Sequence, residues 1–147
     1  MEASRIDITR LENLTVTARE LLRESGSDTL DHARVLALYG DLGAGKTAFT
    51  KILAKELGII EEVTSPTFVV MKRYDIEKGP WRSLIHIDAY RLESEEELRV
   101  LGFQEWLLDP NALIVIEWAD KVESSLPADT LRLRFVLEEE KRFLERL

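Results

Sequence analysis

The chain has 147 residues, 45% of them hydrophobic, and a formal net charge of −8 at pH 7. That length fits one domain of ordinary size, and the composition supports a packed core and argues against disorder. The absence of cysteine excludes disulfides and thiolate metal sites, and the acidic balance argues against a domain that grips nucleic acid alone through a basic face.

The opening stretch MEASRIDITRLENL lacks the basic and apolar segments of a secretory signal, and no apolar run reaches membrane-spanning length. The expectation is a soluble, cytoplasmic protein with no membrane association. Leu11, Leu14, Ala18, Leu21 and Leu22 recur at helical spacing and predict an amphipathic helix that ends near Gly26. RVLALYG reads as a short buried strand closed by glycine. KTAFTKILAKELGI reads as a helix with Phe49, Ile52, Leu53 and Leu57 on one face. TSPTFVVMKRYDI and WRSLIHIDAY predict two strands of a hairpin around the turn EKGP. ESEEELRVLGFQEWL predicts one helix, with Ser94 as its N-cap and Glu97 at the capping-box position. NALIVIEW is a buried strand, and DTLRLRFVLEE alternates as a strand with one exposed face. The last ten residues fit either a further strand paired to it or a frayed helix. The alternation of strands and helices predicts an α/β fold: a P-loop NTPase-like three-layer sandwich whose central sheet is mostly parallel, with an antiparallel hairpin.

The strand RVLALY runs into GDLGAGKT, Gly40 to Thr47, and a helix follows. This is the pattern G-x-x-x-x-G-K-[ST] between the two elements that give it meaning. Glycines let the backbone turn and aim its N–H groups at an anion, and the following helix adds its positive N-terminal end. By chance the four fixed positions recur in roughly one chain in two hundred of this length, and the flanking elements lower that further. The segment Asp41, Leu42, Gly43, Ala44, Gly45, Lys46 and Thr47 is therefore the candidate cradle for a nucleoside triphosphate. Lys46 is placed to reach the β- and γ-phosphates, and the Thr47 hydroxyl to coordinate Mg²⁺.

Such a loop works with a carboxylate at the end of a neighbouring buried strand. Asp88 in LIHIDAYRL and Glu117 in ALIVIEWAD both qualify, because ligands gather at the carboxyl ends of strands in open α/β sheets. Either acid can serve the metal or orient the attacking water, and the sequence leaves the division of labour open. Trp118, beside Glu117, fits core packing or contact with the nucleotide. The four residues EWAD lack the Asn-Lys pair that reads guanine, and Asp120 reads as a surface or capping residue. Ser65 and Thr67, in TSPTF, suit a plain turn or a loop that senses the γ-phosphate. His32 and His86 read as structural, with no metal-ligand companion at useful spacing.

GDLGAGKT, SPTF, HIDAYRL, EELRVLGFQEWL and IEWADK, in that order and spacing, resemble the bacterial TsaE family, formerly called YjeE. The resemblance covers roughly Leu14 to Leu133. It implies a weak ATPase that uses ATP with Mg²⁺, is required for threonylcarbamoyladenosine formation on tRNA, and works within an assembly with the TsaD and TsaB proteins. In that reading tRNA is met only indirectly, through the complex, which suits the acidic charge. The resemblance carries the family's acids onto Asp88 and Glu117, with Trp118 beside the latter, and its serine-proline-threonine loop onto Ser65 and Thr67. Ala119-Asp120 and Ala89 differ from the residues common in the family, and neither change falls on an expected ligand. Lys46, Asp88 and Glu117 are thus the expected catalytic residues, and Thr47 and Glu117 the expected metal side. Two other readings of the residues are a small nucleoside or nucleotide kinase, for which no arginine-rich lid is visible, and a nucleotide-sensing subunit without catalysis, against which Glu117 speaks.

Overall fold

A computed structural model describes residues 5–64 and 70–147; the loop positions Ser65 and Thr67 lie outside the described residues. Among these, seven strands form one sheet: β1 (Arg5–Asp7), β2 (Arg34–Tyr39), β3 (Met71–Asp75), β4 (Ser83–Asp88), β5 (Ala112–Glu117), β6 (Leu131–Glu138) and β7 (Lys141–Arg146), in the order β1-β7-β6-β2-β5-β4-β3. The inner strands β6, β2, β5 and β4 run parallel to one another. Burial on both faces explains why β5 is apolar from Ala112 to Ile116, and why β2 is apolar from Val35 to Leu38.

The expected α/β architecture with a mostly parallel core is present, with more antiparallel pairing at its margins than the sequence indicated. The hairpin of β3 and β4 closes one edge as expected. A second hairpin, β6 and β7, closes the other, and β1 adds antiparallel to β7. The last residues are therefore a strand. A two-residue turn, Glu139-Glu140, reverses the chain with Glu139 at φ 57°, and Leu144 is buried.

Helices α1 (Leu11–Gly26) and α2 (Lys46–Glu56) cover one face of the sheet, where Leu14, Ala18, Leu21, Phe49 and Leu53 pack on Leu36, Leu38, Leu113 and Val115. On the other face α3 (Glu95–Val100), α4 (Phe103–Leu107) and a 3₁₀ turn (Ala119–Ser125) bury Leu98, Phe103 and Val122 against Val35, Ile85 and Ile114. The single helix expected across ESEEELRVLGFQEWL is broken in two. Gly102, at φ 89°, supplies the left-handed residue that ends one helix and starts the next. Ser94 makes no side-chain cap; Glu97 instead accepts the N–H of Glu93 at 3.3 Å. No helix among the described residues is long and apolar enough to cross a membrane.

The strand period of two decides which side chains meet. Leu84 on β4, and Leu113 and Val115 on β5, face α1 and α2. Continuing the alternation puts His86, Asp88 and Glu117 on that same face, the face that carries the start of α2.

Candidate nucleotide site

The loop from Gly40 to Gly45 joins β2 to α2 and turns on glycines that no other residue replaces cheaply. Gly40 has φ 134°, and a Cβ there would stand 2.3 Å from the carbonyl oxygen of Phe135 on β6. Gly45, at φ 118°, is the last residue before α2 and leaves the helix N–H groups without a side-chain cap. Unpaired N–H groups at a helix start form an anion site together with the helix dipole.

Above this loop lies a cavity of about 390 Å³. Asp41, Leu42, Gly43, Gly45, Lys46 and Thr47 form its floor, and Asp88, Glu117 and Trp118 form one side. Of the residues singled out in the phosphate loop, only Ala44 stays out of the cavity. It is buried, and its N–H donates to the carbonyl of Asp41 at 3.2 Å. The opposite wall comes from Ile8 and Thr9, which follow β1, from Leu11 and Leu14 at the start of α1, and from Arg142 on β7. Arg142 donates from Nε to the carbonyl of Gly43 at 3.0 Å. No motif marks Ile8 or Arg142 in the sequence, because they reach the cavity only through the pairing of β1 with β7.

Glu117 is 2% exposed and accepts two hydrogen bonds, one on each oxygen. The Thr47 hydroxyl donates to Oε1 at 2.9 Å, and Nε2 of His86 lies 2.6 Å from Oε2. β4 and β5 are in register with Asp88 beside Glu117, so the two acids end adjacent strands together. Asp88 accepts the N–H of Tyr90 at 3.0 Å. His86, which the sequence marks only as structural, is fully buried and in contact with Glu117. Its position two residues before Asp88 on one strand was the available signal.

Lys46 is folded back onto its own loop. Its ammonium donates to the carbonyl of Gly40 and, at 3.3 Å, to that of Asp41, and lies 3.7 Å from the centre of the Trp118 ring. Burial pushes its pKa below the ordinary lysine value, while the carboxylates of Glu117, Asp120, Asp41 and Asp88 pull the other way. Trp118 sits at φ 59° and ψ 44°, a left-handed backbone that costs a bulky residue about 1–3 kcal/mol. Its ring tilts against Tyr90 at 5.0 Å. The indole thus covers the lysine and lines the cavity. Asp120 is exposed, as expected.

Residues 9–146 match the model of a family described as threonylcarbamoyl adenosine biosynthesis protein TsaE. The chain is 44% identical over 99 residues to the tRNA threonylcarbamoyladenosine biosynthesis protein TsaE of Bacillus subtilis strain 168, a match covering 67% of this chain and 59% of that protein. It is 42% identical over 104 residues to the protein of that name from Treponema pallidum, covering 71% and 73% of the two chains, and 33% identical over 136 residues to that of Aquifex aeolicus, covering 84% and 92%. Among solved structures it resembles the crystal structure of Bacillus YdiB, with a TM-score of 0.69 and 28% identity over 99% of this chain and 84% of the other.

Proposed function

The chain belongs to the TsaE family, and from that premise we propose that it is a cytoplasmic, Mg²⁺-dependent ATPase acting with TsaD and TsaB in the threonylcarbamoyladenosine modification of tRNA. The observation that carries the ATPase reading is the 2.9 Å contact between Thr47 and Glu117 inside the phosphate-loop cavity. A hydroxyl has one proton and two lone pairs. Spending the proton on Glu117 leaves the Thr47 lone pairs for a cation beside the phosphates. Thr47 and Glu117 offer hard oxygen donors but no complete cage, which suits Mg²⁺, an ion that takes the rest of its shell from phosphates and water. Bound there, Mg²⁺ would neutralise charge on the phosphate oxygens and orient them.

This chain's own groups do the remaining work. The loop amides and the start of α2 hold the phosphates. Lys46 exchanges its hold on Gly40 and Asp41 for the β- and γ-oxygens. Asp88 and Glu117, which end adjacent strands and line the cavity, are the groups that would orient a water for attack on the γ-phosphate. Ile8, Leu11 and Leu14 supply the apolar wall for the base. The net charge of −8 supports a division of labour in which tRNA is bound mainly by the partners.

The test is phosphate release from ATP by the protein alone, with small nucleosides, and with TsaD and TsaB added. The expected result is slow release alone and stimulation by the partners. A phosphorylated nucleoside would make the chain a kinase. Neither stimulation nor complex formation would remove the partner assignment.

A further inference from the structure

We propose that His86 is a positioning residue for Glu117: it fixes the rotation of the carboxylate that faces Thr47, and so sets the affinity of the site for its divalent cation. The inference rests on the metal role given above to Thr47 and Glu117.

His86 lies between Ile85 and Ile87 in β4, shares its face with Leu84, and has no exposed surface. An aliphatic side chain would fill such a place without burying a polar atom. The imidazole buries two nitrogens, and Nδ1 has no hydrogen-bond partner, which is a cost. Its polar contact is Nε2 on Glu117 Oε2 at 2.6 Å. A carboxylate only accepts, so Nε2 carries the hydrogen and donates.

The carboxylate needs such a partner. The terminal torsion of a glutamate is broad and roughly two-fold, so one hydrogen bond leaves the second oxygen free to swing. Thr47 holds Oε1 from the side of the cavity, where nucleotide and cation would bind. His86 holds the other oxygen from inside the sheet, where the neighbouring backbone is fixed by the β4–β5 pairing. The carboxylate plane is then set from its buried side, whatever happens on the nucleotide side. Partners that orient metal-binding groups act in this way.

The experiment titrates Mn²⁺, read by electron paramagnetic resonance, into protein saturated with the non-hydrolysable β,γ-imido analogue of ATP. Wild-type protein is compared with His86→Gln, His86→Asn and His86→Leu. Glutamine places its amide N–H near Nε2 and retains the donor to Glu117; asparagine stops near Nδ1 and does not. The Asn and Leu variants are expected to bind Mn²⁺ about 10–100-fold more weakly, with Gln returning most of the loss. Affinity for the analogue in EDTA is expected to stay within about twofold in all four, since the loop amides and Lys46 bind phosphate without the cation. A merely structural histidine would lower the melting temperature of the three variants without separating Gln from Asn in Mn²⁺ affinity. Equal Mn²⁺ affinity in all four proteins, or a Gln variant as weak as Leu, overturns the inference. Should His86→Leu fail to fold, the Gln–Asn comparison decides alone. Wild-type protein that takes up no Mn²⁺ with the analogue overturns the metal reading of Thr47 and Glu117, and this inference with it. Wild-type uptake indifferent to His86 overturns this inference only.

Discussion

Arg142 on the last strand donates through Nε to the carbonyl of Gly43 in the phosphate loop at 3.0 Å. A residue near one end of the chain thereby braces the loop from the side opposite Glu117. Arg142→Ala is expected to raise the dissociation constant for nucleotide about 3–10-fold, the worth of one partly exposed charge-assisted hydrogen bond. The saturated hydrolysis rate should change little, because Arg142 lies across the cavity from Asp88 and Glu117. Calorimetric titration with nucleotide checks this; an unchanged constant takes Arg142 out of the binding site.

Gly40→Ala tests the packing beneath the loop. A methyl group would sit 2.3 Å from the Phe135 carbonyl oxygen, at a φ of 134°. Backbone strain and overpacking together are expected to destabilise the fold by about 3 kcal/mol or more. Urea denaturation reads the loss directly. A stable variant with native nucleotide affinity would show that β2 and β6 can separate at this point.

Lys46→Met separates stability from binding. The ammonium is buried against two carbonyls and an indole, and burial already disfavours its charge. The variant is expected to melt no lower than wild type, while affinity for a triphosphate falls about tenfold or more. A variant that melts well below wild type would mean that the contacts to Gly40 and Asp41 outweigh the cost of burial.

Glu117→Gln keeps the size of the side chain and removes its charge. Hydrolysis is expected to fall roughly 10²-fold or more, the scale for losing one preorganised electrostatic partner, with nucleotide affinity in EDTA little changed. Normal turnover would assign the essential acid to Asp88 instead.

His32 gives a pH dependence away from the nucleotide. It lies 2.8 Å from Asp31 and 2.6 Å from Asp129, and these hydrogen bonds, Asp31's first, raise its pKa above the usual 6.5. A histidine protonated more readily in the folded state stabilises it fully below the unfolded value. That contribution is lost as pH rises through the higher folded value. The melting temperature of wild type relative to His32→Asn should therefore be greatest below about pH 6.5 and decline above it. A difference that is flat with pH would show that the pair of aspartates does not hold the cation.

The phosphate loop and the acids at the strand ends were legible because each rests on local rules: a glycine pattern between two elements, and carboxylates ending apolar runs. The break at Gly102 was less legible, since Val100, Phe103 and Leu107 keep helical spacing across it. The C-terminal strand was ambiguous because Lys141 to Arg146 is short and charged, and becomes a strand through pairing with β6 and β1. Ile8 and Arg142 were invisible for the same reason: contacts between distant segments leave no local trace. His86 was readable in principle. Alternation from Asp88 puts it on the site face, but apolar neighbours on both sides made it look like core.

The pairing of β1 with β7 also bears on the order of assembly during synthesis. Ile6 lies opposite Leu144, so β1 has its hydrogen-bonding partner only after the segment around Leu144 has left the ribosome. Until then the parallel strands and the phosphate loop can form, but the wall made by Ile8, Thr9 and Arg142 cannot. On the proposed function, a nascent chain would hold phosphate before it could enclose a base, and competence for the whole nucleotide would arrive with the β6–β7 hairpin.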